Sequence, residues 1–141
     1  MKWLLVITGV ITGVVVCFAR LALMGWLYLF GLLSVMIFGA LQILMIVQIV
    51  KYYDKVSKTG RLSALLAVNL FALIFLFQFD FGDTPGVFYV YEIFIGETES
   101  RFEDNAFIIA MLSAVAYIIN FIIWRISVRR SRKQQQLTPG A

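Results

Sequence analysis

Seven of the eight acidic residues in this chain fall within residues 79–104: Asp80, Asp83, Glu92, Glu97, Glu99, Glu103 and Asp104. Clustered carboxylates can cage a cation or divide acid and base duties in hydrolysis. A calcium ion takes roughly six to eight oxygens, and no EF-hand spacing is present. A paired-carboxylate active site has no further support in the pattern. The letters Asp80-Phe81-Gly82 match a kinase signature, but no other part of that set occurs, so the match is coincidental. A solvated acidic surface is the simpler expectation, with no metal and no cofactor.

The remaining chemistry is sparse. Histidine is absent and Cys17 is the single cysteine. Zinc, haem and iron–sulfur sites therefore lack their usual ligands. His-based acid–base or nucleophilic catalysis is excluded. One cysteine cannot form an internal disulfide, so the redox compartment is unreadable. Without a nucleophile–base pair the chain is not expected to be an enzyme.

What is left are neutral polar residues inside apolar runs: Gln42, Asn69, Ser113, Tyr117 and Asn120. Gln42 precedes Lys51 by nine residues, Asn69 follows Arg61 by eight, and Tyr117 precedes Arg125 by eight. At the helical rise these three share one depth, about 12–14 Å from the charged ends. Such a layer either joins helices, at about 0.6 kcal/mol per bond, or lines a path. Joining helices is the simpler expectation.

These residues need scaffolding, and composition names its solvent. The 141 residues are 62% hydrophobic and 14% charged, against about a quarter charged in soluble domains. Four continuous apolar runs, about 3–19, 24–50, 62–79 and 105–124, approach or exceed the roughly 17–25 residues of a transmembrane helix. Continuous rather than alternating patterning favours helices over barrel strands. The expected fold is an all-α four-helix transmembrane bundle over residues 1–133. The first run also resembles a signal peptide, with basic Lys2, an apolar middle and small Ala19; a retained helix is expected instead. The second run holds 30 uncharged residues over 21–50, about 45 Å of helix against a hydrocarbon layer of roughly 30 Å. It should tilt or start outside the membrane.

Basic residues set direction. Lys51, Lys55, Lys58 and Arg61 lie between the second and third runs, and Arg125, Arg129, Arg130, Arg132 and Lys133 follow the fourth. Short segments rich in Lys and Arg stay in the cytoplasm. Both termini are therefore expected inside, with the link at Arg20 and the acidic loop 80–104 outside. The net charge of +4 and the acidic cluster then reconcile: cations are kept on one side and the outer loop is left to the acids. No formal charge is expected within the membrane interior.

Three further features shape the expected function. Gly9 and Gly13, four apart, offer a flat helix face for close packing, within the chain or between subunits. Residues 87–95 are β-branched and aromatic, so an extended segment is expected there, with Asp80, Asp83, Tyr89, Tyr91, Glu92, Glu97 and Glu99 forming an outer interaction surface. The cationic tail is expected to extend the last helix by two turns, contact anionic lipid, and become flexible over 134–141. No nucleic-acid module is present. A small interaction protein of a bacterial inner membrane fits best: an accessory subunit, sensor or immunity-type scaffold. Its expected partners are the lipid bilayer, further copies of itself and a cytoplasmic or membrane protein. A small channel or lipid or solute transporter is the alternative.

Overall fold

The computed structural model describes residues 1–22, 28–81, 87–89 and 100–137, with side chains over 1–22, 31–78 and 105–133. Four helices follow the apolar runs: α1 (Lys2–Ala22), α2 (Tyr28–Tyr52), α3 (Lys58–Leu76) and α4 (Ser100–Leu137), with a 3-10 turn at Tyr53–Lys55 between α2 and α3. The segments Lys2–Ala22, Gly31–Lys55, Lys58–Leu76 and Asn105–Lys133 are each long and apolar enough to cross a membrane. The protein is thus a four-span membrane protein by length and composition.

Local chemistry sets the breaks. Val56 N–H donates to Tyr52 O at 3.1 Å, closing the end of α2. Ser57 then turns extended (φ −62°, ψ 169°) and its Oγ accepts from Gly60 N–H at 3.4 Å, capping α3. Such a cap contributes about 1 kcal/mol. At the far end Phe77 N–H reaches back to Leu73 O at 3.2 Å.

The bundle closes around a seam between α3 and α4. Gly60, Ser63, Ala64 and Ala67 place small side chains on one face of α3, all buried. On α4 the buried residues recur every three or four positions: Ala106, Ala110, Ser113, Tyr117, Asn120, Trp124, Val128 and Ser131. Small faces let backbones approach, and close packing then drives association where lipid removes the hydrophobic term. Beyond the small residues the seam fills with rings: Phe71 stacks obliquely on Phe75 at 5.1 Å, and Phe38 meets Tyr117 edge-on at 5.9 Å. α1 lies across α2 and α3. Large apolar side chains such as Phe18, Ile43, Leu112 and Ile119 point outward, as suits a bundle solvated by acyl chains.

Several boundaries differ from those expected. α2 is described from Tyr28, and its expected start near 24 falls on residues 23–27, outside the described residues. α3 starts four residues earlier than 62, because the Ser57 cap draws polar residues 58–61 into its first turn. α4 runs to Leu137. Residues 134–137, part of the stretch 134–141 expected to be flexible, are helical, as the helix propensity of Gln and Leu allows, and 138–141 lie outside the described residues. The extended segment over 87–95 is not supported as expected. The described residues there carry only three-residue strands, β1 (Phe79–Phe81) and β2 (Val87–Tyr89), paired antiparallel with Asp80 opposite Phe88 and Tyr89 opposite Phe79. Asp83, Tyr91, Glu92, Glu97 and Glu99 lie outside the described residues.

Arg20 is a second correction. It does not sit in a solvent-facing link but in the last turn of α1, 1% exposed. A Cβ on Gly31 of α2 would lie 3.3 Å from its Nη2. The missing side chain at Gly31 thus makes room for a guanidinium inside the bundle, so formal charge is not confined to the bundle's surface.

Candidate functional site

The neutral polar residues divide into bonded pairs rather than one continuous layer. Tyr117 Oη on α4 donates to Gln42 Oε1 on α2 at 2.9 Å, and both side chains are buried. Asn120, less than one turn along α4, pairs reciprocally with Ser63 of α3. Its Nδ2 donates to Ser63 O at 2.8 Å, while Ser63 Oγ reaches Asn120 Oδ1 at 2.9 Å and its main-chain O at 3.0 Å. Trp124, one turn further, donates from Nε1 to Gln48 Oε1 at 3.1 Å. Towards the opposite end Ser34 and Gln78 bond to one another at 3.3–3.4 Å. One stripe of α4 therefore addresses α2, α3 and α2 in turn.

Asn69 does not join them. It is exposed, and its Nδ2 donates to Leu65 O of its own helix at 2.9 Å. It has the expected depth but the wrong azimuth. Ser63 and Gln48 were missed by sequence reasoning. The available signal was the i, i+3, i+7 spacing of Tyr117, Asn120 and Trp124, which marks a single helix face needing polar partners.

The glycine pair splits as well. A Cβ on Gly9 would lie 3.3 Å from Val68 Cγ2 and 3.6 Å from Gln42 Nε2, so Gly9 serves packing within the chain. Gly13 and Gly39 have nothing within 4 Å of an added Cβ. Together with Val10, Val14 and Ile43 they line an apolar groove of about 280 Å³ between α1 and α2.

Apart from Arg20, the described cationic side chains gather at one end of the bundle. Lys2 Nζ bonds Asp54 Oδ2 at 2.7 Å, tying the start of α1 to the α2–α3 turn. Arg132 of α4 lies 4.5 Å from the Tyr52 ring and donates to its hydroxyl. Arg61 lies 5.6 Å from the Tyr53 ring and donates to Asp54 O at 3.4 Å. The start of α1, the 51–61 turn and the end of α4 thus share one end. Lys51, Lys55, Lys58, Arg125, Arg129, Arg130 and Lys133 are exposed there. Asp54, mostly exposed, is held below the usual carboxylate range by the hydrogen bond from Lys2, helped by the charges of Lys2 and Arg61.

Cavities open at this end. One, of about 590 Å³, lies between the α2–α3 turn and α4. A smaller one of about 100 Å³ is bordered by Gln48, Arg125, Arg129 and Arg132. Among the described residues no three carboxylate or thiol groups come together. No protein-family model matches the chain, and comparison with curated proteins and with solved structures finds no match.

Proposed function

We propose that this chain is a small, non-enzymatic interaction protein of a bacterial inner membrane: an accessory subunit, sensor or immunity-type scaffold. It assembles with further copies of itself and joins an acidic outer loop, residues 80–104, to a basic cytoplasmic face that meets a protein partner or anionic lipid. Both termini lie in the cytoplasm, because short cationic segments are retained there.

The observation that carries this reading is how the polar groups are used. Gln42, Tyr117, Asn120 and Ser63 are buried and bonded across helices. Groups consumed in joining helices are not available to a passing solute, which weighs against the channel or transporter alternative. Charge is displayed instead at the bundle end. The apolar groove at Gly13 and Gly39 supports self-assembly, since glycine faces let another helix approach closely.

The test is the assembly state in lipid nanodiscs. A species larger than one chain, lost in Gly13→Leu with Gly39→Leu while helicity persists, is expected. A monomer that retains no partner under mild detergent would sink the proposal. Membrane-impermeant labelling of cysteines placed at Gly96 and Ala141, in a Cys17→Ser background, checks the orientation: intact cells should label the first and not the second.

A further inference from the structure

The cavity between the α2–α3 turn and α4 has an amphipathic lining. Lys55 from the 3-10 turn and Arg130 from α4 border it, with the hydroxyls of Ser57, Thr59 and Ser131. Ile123 and Ile126 complete the wall. No carboxylate lines it, and neither Lys55 nor Arg130 makes an ion pair among the described residues. Asp54, next to Lys55 in sequence, is engaged by Lys2 at 2.7 Å. Two like charges therefore face one cavity with no counter-charge in its lining, an arrangement that an anion would relieve.

The polarity is graded along the bundle axis. Ile123 precedes Arg130 by seven residues, about 10 Å along the helix towards the membrane. Both isoleucines are exposed, at 41% and 43%. An inorganic anion would use the cationic mouth and leave that wall bare. A ligand with an anionic head and an apolar chain fills both. Gly60 fixes this shape: an added Cβ would stand 3.2 Å from Ser127 Cβ and 2.9 Å from Val56 Cβ, so only glycine lets α4 come this close beside the cavity.

We infer that this cavity binds an anionic phospholipid, its phosphate between Lys55 and Arg130 and its first methylenes along Ile126 and Ile123. The inference rests on the basic end facing the cytoplasmic leaflet, and it narrows that face from a diffuse charge to one built site.

Native mass spectrometry of the full chain, released from detergent containing equal phosphatidylglycerol and phosphatidylcholine, tests it. The unaltered protein should retain the anionic lipid in about thirtyfold preference, given roughly 1 kcal/mol for each of the two cations. Lys55→Gln with Arg130→Gln should bring that ratio to parity. Lys51→Gln with Lys133→Gln, of equal charge change but outside the cavity, should keep it. Equal losses in the two variants would overturn the site while leaving the proposed interaction role intact, since assembly is measured separately. Absence of preference in the unaltered protein would overturn it too, and full displacement by millimolar inorganic phosphate would assign the cavity to a soluble anion instead. Should the Lys55/Arg130 variant fail to fold, the unaltered protein still decides: a photoactivatable group on the first chain methylenes must insert at Ile123 or Ile126, and insertion elsewhere alone refutes the site.

Discussion

Removing one hydroxyl, that of Tyr117, separates the two uses of the intramembrane polar groups. Tyr117 is fully buried and donates to Gln42 Oε1 at 2.9 Å. Gln42 Nε2 is enclosed and has no acceptor among the described residues. Tyr117→Phe keeps the ring, and with it the contacts to Phe38 and Phe71, but strands the whole Gln42 amide. An interhelical bond in a membrane is worth about 0.6 kcal/mol and at most about 1.7, whereas stranding a buried polar group costs about 1–3 kcal/mol. The two figures describe one event from two sides, so the expected loss is about 1–2 kcal/mol. Replacing both partners by apolar groups is close to neutral. Gln42→Leu with Tyr117→Phe should therefore recover most of the loss, while Gln42→Leu alone leaves the tyrosine hydroxyl stranded. Reversible unfolding of the four proteins in mixed micelles, followed by circular dichroism against the fraction of denaturing detergent, measures the cycle. If Tyr117→Phe lies within about 0.3 kcal/mol of the parent, or if the double variant is weaker than either single one, the reasoning fails. A stable double variant that abolished solute flux in liposomes would restore the conducting alternative.

Other outcomes follow from the same geometry. Gly60→Ala should cost about 1–3 kcal/mol, because its Cβ would stand 2.9 Å from Val56 Cβ and 3.2 Å from Ser127 Cβ of α4, and a packed seam yields only at such a cost. Gly13→Ala, with open space around it, should instead stabilise the isolated chain by up to about 1 kcal/mol; equal effects at the two positions would contradict the seam. Ser63→Ala should lose about 0.6–1.7 kcal/mol, but Asn69→Leu should lose nothing of that kind, since Asn69 bonds only within its own helix. The Lys2–Asp54 link should be visible in acid. The hydrogen bond from Lys2 depresses the folded Asp54 pKa, so its contribution is present above the unfolded value of about 3.9 and is lost as pH falls through the lower folded value. The stability gap between parent and Asp54→Asn should be constant from neutral pH to about 5 and then close below about 4. A gap that widened on acidification would reverse the assignment. Because Asp54 is mostly exposed, the gap should also shrink with added salt.

Depth along each span was legible in the sequence, because hydropathy is local and helical rise is constant. The four spans, the concentration of cations near their ends and the level of Gln42 and Tyr117 all follow from that arithmetic. Which way a side chain faces was not, since azimuth has meaning only relative to neighbouring helices. Asn69 has the right depth and faces outward, while Ser63, overlooked, turns into the seam and meets Asn120. Gly9 and Gly13 are four residues apart on one helix, yet only Gly9 is pressed between α2 and α3. Arg20 looked like a boundary charge, and only the space opposite at Gly31 allows its burial. Sequence alone therefore determined where each residue lies along its span, an additive property of consecutive residues. Tertiary structure alone decided which polar groups pair, because pairing depends on the relative rotation of helices distant in the chain.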